Sequence, residues 1–356
     1  MPKDPIDPIR VLVVDDSALM RATIKKLLNR DPGIEVVGTA HSGPVALQKI
    51  RSDKPDVVTL DVEMPGMDGM VLLDALMSTD PLPVLMVSTL TQEGAPKTVE
   101  ALGKGAVDCL GKPTGEDGQT LKDVGEVLIA KVKAAATAKV GKRRLAVLEQ
   151  GKQENSCFVG SSGNPGQVIA VGASMGGPAT LLDLFKQLPP QTPPILITQH
   201  MPKGFTKSLA DRLNSVAKIE VHEAMDGEPV FPGHAYLAPG DQHMALAGNE
   251  GDYYIQLRSG SNVCGHKPSV EVLFRSVADA AGKKGVGILM TGMGYDGAEG
   301  LGALKEAGGR TYAQNEETAI VYGMPSVAKR LGTIEAEIGL SEILSLLSGE
   351  PLSVGT

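Results

Sequence analysis

The chain has no tryptophan, five phenylalanines, six tyrosines and three cysteines among its 356 residues, and it is short of positive charge. Each scarcity argues against a class of protein. Cys109, Cys157 and Cys264 lie far apart, cannot all pair and show no metal-ligand spacing. A disulfide scaffold or a zinc module is therefore not indicated, and a reducing, cytoplasmic setting is expected. With 34 Lys and Arg against 42 Asp and Glu, the formal net charge is −8, the wrong sign for neutralising nucleic-acid phosphates, so no nucleic-acid partner is expected. No apolar run approaches the ~18 residues a membrane span needs, and Met1-Pro-Lys-Asp-Pro5 has no leader-like apolar core. A soluble chain without membrane insertion is expected. The 42% hydrophobic content and 43 glycines suit an α/β protein rich in turns, and the length exceeds one ordinary core, so two domains are expected.

Residues 1–8 carry three prolines and read as a disordered or extended lead. Ile9 to Val14 reads as a buried strand ending in Asp15-Asp16-Ser17, and an amphipathic helix follows with Leu19, Ile24, Leu27 and Leu28 on its apolar side. The alternation continues: strand Glu35 to Gly38, helix Gly43 to Arg51, strand Asp56 to Leu60 before Asp61. Then come strand Pro83 to Val87 before Ser88, helix Ala95 to Leu102, and a short strand near Val107 to Leu110 before Lys112-Pro113. Such alternation builds a parallel, doubly wound sheet whose working crevice lies at the carboxyl ends of its strands. The polar residues at those ends are Asp15, Asp16, Asp61, Ser88 and Lys112. Three carboxylates at one edge repel one another and call for a cation, and oxygen donors without histidine or cysteine favour Mg²⁺. With a hydroxyl and an ammonium beside it, Asp61 is equipped to accept a phosphoryl group. Taken singly, an aspartate at a strand end also fits a helix cap, and Lys112 a solvated loop.

These residues, with the Met64-Pro-Gly-Met-Asp-Gly69 loop, resemble a response-regulator receiver domain over residues 9–120. The resemblance implies that Asp61 is phosphorylated by a histidine kinase. It implies that Asp15, Asp16 and Asp61 hold Mg²⁺, that Ser88 and Lys112 read the phosphoryl group, and that the Lys112–Pro113 bond is cis. The chain departs from that pattern at Cys109, where receivers usually carry an aromatic switch residue. Beyond it, Lys122 to Arg144 holds seven basic and two acidic residues, and alanine dominates Ala130 to Ala138. This stretch reads as an exposed helix, its basic run a solvated face or a docking surface. Residues 151–166 are polar and rich in Gly, Ser and Asn, a flexible boundary.

The alternation then resumes. Val168 to Val171 is an apolar, β-branched run that stops at Gly172-Ala-Ser174-Met-Gly176, with a helical segment after it from Ala179 to Leu188. A strand, a sharp glycine-flanked turn and a helix can expose a nucleophilic serine; the same pattern also fits a tight turn with a capping serine. Strand Pro194 to Thr198 leads to Gln199-His200, helix Phe205 to Leu213 follows, and the sequence is turn-rich through Gly227. Phe231 to Ala238 and Tyr253 to Leu257 read as antiparallel strands around a loop reaching His243. Helix Val270 to Ala281, strand Gly285 to Met290, a helix to Ala307, strand Arg310 to Gln314 and two more helices complete the segment. A serine nucleophile needs a histidine base and an acid to orient it. Of His200, His222, His234, His243 and His266, only His200 directly follows a core strand; the other four read as surface residues in turns or strand edges. Asp296 is the corresponding acid, placed after the third core strand. The order Ser, His, Asp is not that of α/β-hydrolases. A competing G-x-G-x-x-G pattern at Gly292, Gly294 and Gly297, with Glu316 about twenty residues on, would suit a dinucleotide.

Gly172-Ala-Ser-Met-Gly-Gly177, Gln199-His-Met-Pro202, Ala238-Pro-Gly-Asp-Gln-His-Met244, His266-Lys-Pro-Ser269 and Thr291-Gly-Met-Gly-Tyr-Asp-Gly297 look like the motifs of the chemotaxis methylesterase family CheB. The resemblance implies two doubly wound parallel-sheet domains, a flavodoxin-like receiver and a Rossmann-like methylesterase domain with a small antiparallel hairpin. It divides the chain into a lead (1–8), a receiver (9–125), a helical basic linker (126–166) and a catalytic domain (167–350). It implies a Ser174–His200–Asp296 triad, with Met175 and Met293 supporting the oxyanion. The activity implied is hydrolysis of glutamate γ-methyl esters, and deamidation of glutamines, on chemoreceptors by a cytoplasmic monomer. A chemotaxis histidine kinase is the implied phosphodonor, with no cofactor in the catalytic domain. Unphosphorylated, the receiver would cover the cleft. The other readings are a receiver fused to an inactive binding module, and a dinucleotide-binding oxidoreductase.

Overall fold

A computed structural model describes residues 7–62, 64, 69–88, 94–112, 121–141 and 166–352, with the backbone alone of residue 121. Residues 1–6, most of the Met64-to-Gly69 loop, Pro113 and most of the polar boundary at 151–166 lie outside the described residues. The chain divides into two units, Met1–Gly141 and Lys142–Thr356.

In the first unit, the strands β1 (Ile9–Val14), β2 (Ile34–Ala40), β3 (Val57–Asp61), β4 (Val84–Ser88) and β5 (Asp108–Gly111) form one sheet in the order β2-β1-β3-β4-β5. Every pairing is parallel. Val57-Val-Thr-Leu-Asp61 is buried along its whole length, as expected where helices cover both faces of a parallel sheet. The helices are α1 (Ala18–Leu28), α2 (Gly43–Asp53), α3 (Gly69–Thr79), α4 (Gly94–Gly103) and α5 (Leu121–Ala135). Ser17 caps α1, its hydroxyl accepting from the Met20 N–H, so the aspartates before it are released from that duty.

The helix α5 corrects the expected boundary at residue 125. It is no exposed linker: Leu128, Val132 and Ala135 are buried in a cluster with Leu27, Leu28 and Val11. Alanine and lysine dominate the composition there and masked an apolar stripe at helical spacing. Leu128→Ala should therefore cost about 2–5 kcal/mol, read from urea unfolding of the full chain. A loss within about 0.5 kcal/mol would mark α5 as a surface helix.

The second unit is built on a seven-stranded sheet, β14-β13-β12-β6-β7-β9-β8. Its strands are β6 (Val168–Ala173), β7 (Ile195–Gln199), β8 (Glu220–Glu223), β9 (His234–Leu237), β12 (Gly285–Leu289), β13 (Arg310–Gln314) and β14 (Ala336–Ile338). All six pairings are parallel. The first strand, β6, lies in the middle, between β7 and β12, so the winding reverses there and opens a crevice at the carboxyl ends of these three strands. The helices are α6 (Gly177–Phe185), α7 (Phe205–Val216), α8 (Val270–Ala281), α9 (Ala298–Glu306), α10 (Met324–Leu331) and α11 (Leu340–Leu347).

The expected antiparallel pair is only half right. Tyr236 is 1% exposed and His234–Leu237 pairs parallel with both β7 and β8, inside the main sheet. The small antiparallel sheet instead joins β10 (His243–Ala247) to β11 (Tyr254–Arg258). Gly248 and Gly251, with φ of +88° and +93°, help reverse the chain between them. One side chain fixes how α8 approaches the sheet. A Cβ at Gly172 of β6 would come within 2.2 Å of Val270 Cγ1, and one at Gly297 within 2.3 Å of the same atom. The Val270 isopropyl group thus fills the space that two glycines leave open.

Candidate active site

The end of β6 turns sharply into α6. The N-cap of α6 is Gly176, with φ +78° and no side-chain cap, so Ser174 is not a capping serine. Bonds to its main chain pin the turn instead: the Ser174 N–H donates to the Thr291 carbonyl (3.0 Å), and the Ser174 carbonyl accepts from the Gly177 N–H (2.9 Å) and from the side-chain Nε2 of Gln199 (2.8 Å). A Cβ at Gly292 would stand 2.7 Å from the Ser174 Cβ, so glycine there lets the loop after β12 lie against the serine. Ala173 is in register with Gln199 on β7, which makes Ser174 and His200 the next positions on adjacent strands.

His200 Nε2 lies 2.7 Å from Asp296 Oδ2. Asp296 also accepts from the Ser269 hydroxyl (2.8 Å) and from the N–H groups of Val270 (2.7 Å) and Glu271 (3.0 Å). Three of its four donors thus come from the first turn of α8, where unpaired N–H groups and the helix dipole favour an anion. Asp296 is 1% exposed. Burial alone would raise its pKa, but His200, Ser269 and Val270 outweigh burial and hold it below the usual carboxylate range. An ionised carboxylate offers no proton, so the neutral imidazole carries its proton on Nε2 and leaves the lone pair on Nδ1. The buried Nδ1 has no hydrogen-bond partner among the described residues. The site thus holds a hydroxyl at one strand end, an oriented imidazole at the next, and a fixed anion behind it, the components of acyl transfer.

Of the four histidines expected at the surface, His243 is buried and His266 is half-buried against the site. His243 is 4% exposed; its Nε2–H donates to the Ser261 carbonyl (3.0 Å) while Nδ1 accepts from the Ser269 N–H (3.2 Å). His266 lies flat on the His200 ring, centroids 3.7 Å apart and planes 9° from parallel. The signal was available in His266-Lys-Pro-Ser269, whose serine reaches Asp296. His222 and His234 do sit on β8 and β9, paired with Glu228 and Glu220. Met175 is 1% exposed and its carbonyl accepts from the Thr291 hydroxyl (2.8 Å). Met293 lies in the loop after β12, where the Gly292 carbonyl accepts from Gly323 and Met324 N–H. The dinucleotide reading is not supported: the space beside Gly292 is taken by Met324 and Ser174, and that beside Gly297 by Val270 and Phe274. Two of the three glycines serve internal packing, not a pyrophosphate.

The first unit collects its own group at the strand ends. Carboxylate oxygens of Asp15, Asp16 and Asp61 lie within 4.8 Å of one another; Asp15 and Asp61 are buried and Asp16 is exposed. Lys112 Nζ is 2.7 Å from Asp61 Oδ2 and 3.1 Å from Asp15 Oδ2. Burial disfavours that ammonium, but Asp61 and Asp15 more than offset it and its pKa is raised. One ammonium against three carboxylates leaves excess negative charge, and the donors are all hard oxygens, so the pocket fits a divalent cation. Ser88, 1% exposed at the end of β4, accepts the Lys112 N–H at its carbonyl (2.8 Å). On β5, burial pushes the Cys109 thiol up to about 12, and the neighbouring Asp108 pairs with Lys131 of α5.

A family model for the CheB methylesterase matches residues 169–347, and one for the response regulator receiver domain matches residues 11–122. A protein-glutamate methylesterase/protein-glutamine glutaminase of Pectobacterium atrosepticum is 44% identical over 335 residues, 94% of this chain and 95% of that protein. One of the corresponding proteins of Pseudomonas aeruginosa is 44% identical over 340 residues, 96% of each. Among solved structures, the Thermotoga maritima CheB methylesterase catalytic domain is 36% identical, covering 51% of this chain and 97% of its own, with a TM-score of 0.49.

Proposed function

The chain belongs to the CheB methylesterase family and carries a receiver domain, and from that premise we propose that Ser174, His200 and Asp296 perform its chemistry while Asp61 switches it. It is a protein-glutamate methylesterase and protein-glutamine glutaminase of chemotaxis adaptation. Ser174 Oγ attacks the γ-carbonyl carbon of a glutamate methyl ester and passes its proton to His200 Nδ1. Asp296 keeps the other ring nitrogen protonated and offsets the imidazolium charge. Backbone N–H groups of Met175 and Met293 stabilise the tetrahedral oxyanion. Collapse breaks the ester C–O bond, and His200 returns the proton to the departing methanol. Water then attacks the glutamyl ester of Ser174, His200 again moving the proton, and a glutamate carboxylate leaves. A glutamine amide follows the same course with ammonia as the leaving group.

The observation that supports this reading is the His200 ring itself, with Nε2 on a buried carboxylate and a buried Nδ1 that has no hydrogen-bond partner among the described residues. A fluorophosphonate probe should form one adduct, on Ser174, that is absent from Ser174→Ala and strongly reduced in His200→Ala. Labelling of Ser174→Ala at the native rate would move the nucleophile elsewhere.

In the receiver, Asp61 takes the phosphoryl group of a chemotaxis histidine kinase. Asp15, Asp16 and Asp61 would hold Mg²⁺, which when bound neutralises charge on the phosphoryl oxygens. The Ser88 hydroxyl and Lys112 ammonium bind those oxygens, and the modification raises esterase activity. The substrate is the methylated region of chemoreceptors, and the enzyme acts as a cytoplasmic monomer without a cofactor in its catalytic unit. Among the described residues no helix is long and apolar enough to cross a membrane.

A further inference from the structure

The hydrogen bond to Asp296 does not by itself place the basic nitrogen of His200. The ring is tethered at two points, Cγ on its own side chain and Nε2 at the carboxylate. These points define an axis through the imidazole, and Nδ1 lies off it. Torsion about the Cβ–Cγ bond, whose line runs close to this axis, would nearly keep the 2.7 Å bond to Asp296 while swinging Nδ1 through space. Something must fix the plane of the ring.

The stacked partner does so. His266 covers one face of His200 at 3.7 Å, nearly parallel, and it is delivered by a turn with little freedom. Val263 and His266 exchange both main-chain bonds, N–H to carbonyl, at 3.0 and 2.9 Å. The two residues between them, Cys264 and Gly265, have φ of +51° and +83°, a two-residue hairpin turn with both central residues left-handed. A cysteine is an unusual occupant of that conformation, and such strain persists only where the surroundings hold it. Burial, and then the Asp296 carboxylate, push the Cys264 thiol up to about 11, so it faces the acid as a neutral S–H. Past His266 the chain runs through Pro268, which is buried, to Ser269, whose hydroxyl binds Asp296. One short segment therefore touches both the imidazole and its carboxylate.

Building on the triad reading above, we infer that His266 is a positioning residue whose ring, laid flat on His200, fixes the imidazole plane and so aims Nδ1 at the serine proton. The role needs a flat face and not a proton. The test compares His266→Ala with His266→Phe in the full chain, following methanol release from membranes that carry methylated chemoreceptor. The alanine variant should lose about 10- to 100-fold in kcat with KM within about twofold, as expected for a misplaced catalytic group. The phenylalanine variant should stay within about threefold of the native kcat, because the face contact is retained. By NMR, the His200 Nε2–H resonance should broaden through exchange with water in the alanine variant and persist in the phenylalanine variant. Native activity in His266→Ala would overturn the inference. So would a folded His266→Phe variant as impaired as the alanine one, since the imidazole would then act through its own nitrogens. His200→Ala, run alongside, separates the two levels. If it keeps native activity the triad reading itself fails, whereas an inactive His200→Ala beside a fully active His266→Ala sinks only the positioning role.

Discussion

Asp296→Asn should lower kcat for methyl-ester hydrolysis by about 10⁴-fold while the fold survives, the scale seen when a triad carboxylate is replaced by its amide. The reason lies in the donor count. The Asp296 carboxylate accepts four hydrogen bonds, two at each oxygen, and Oδ2 serves both His200 Nε2–H and Val270 N–H. An asparagine must turn its NH₂ toward one of the two pairs. Facing His200 and Val270, the amide opposes donor to donor, and relief at the ring requires the proton to move from Nε2 to Nδ1. The lone pair then points at the amide, and Nδ1 can no longer accept from serine. The opposite amide orientation sets NH₂ against Ser269 and Glu271, loosening the first turn of α8. Steady-state kinetics beside near-UV circular dichroism would separate the outcomes: a folded variant with more than about a tenth of native kcat would remove Asp296 from the role of orienting acid.

Asp61→Asn is the second. Native enzyme given Mg²⁺ and a small acyl phosphate should gain activity by about 5- to 150-fold, the range of ordinary coupling free energies between two sites. The asparagine variant should gain nothing. Asp61 is 2% exposed with Lys112 Nζ at 2.7 Å, so its carboxylate already has a cation beside it. The amide removes the nucleophilic oxygen and one of three carboxylates around the expected cation. Chelation of the divalent ion should abolish the native gain as well. Equal stimulation of native and Asp61→Asn enzyme would mean that the receiver is not the switch.

The strand-end positions of the candidate site residues were easier to read from sequence than the fold around them, and the difference has physical causes. Ser174, His200 and Asp296 each follow a core strand of a parallel sheet, and an apolar run ending in a polar residue is a local signal. The same holds for Asp15, Asp61, Ser88 and Lys112. The helix α3 went unread because Met70, Leu72, Leu73 and Leu76 are all buried, and a segment apolar on several sides has no clear period. The strands β8 and β14 went unread because they are the two sheet edges, four and three residues long, where half-exposed polar residues hide the alternation. The strand β10 directly follows a Pro-Gly turn and was assigned to the loop. The contacts of His266 and His243 were missed for a different reason. Their partners, His200 and Ser269, are brought to them by tertiary contact alone, and no spacing in the chain announces it.

The wedge made by Val270 between Gly172 and Gly297 has a consequence for anyone altering this enzyme. Gly172 sits two residues before the serine, Gly297 one residue after the aspartate, and the Val270 N–H is itself bound to that aspartate. Nucleophile and acid are thus gauged from a single isopropyl group, a shared datum rather than two separate fittings. Enlarging either glycine, or Val270, would misalign both ends of the triad at once, and no second substitution at the serine or the aspartate could restore the spacing. Substitutions that leave that alignment alone belong at Tyr295, which is exposed in the same loop, and not at Gly294, whose φ of +91° strains any side chain.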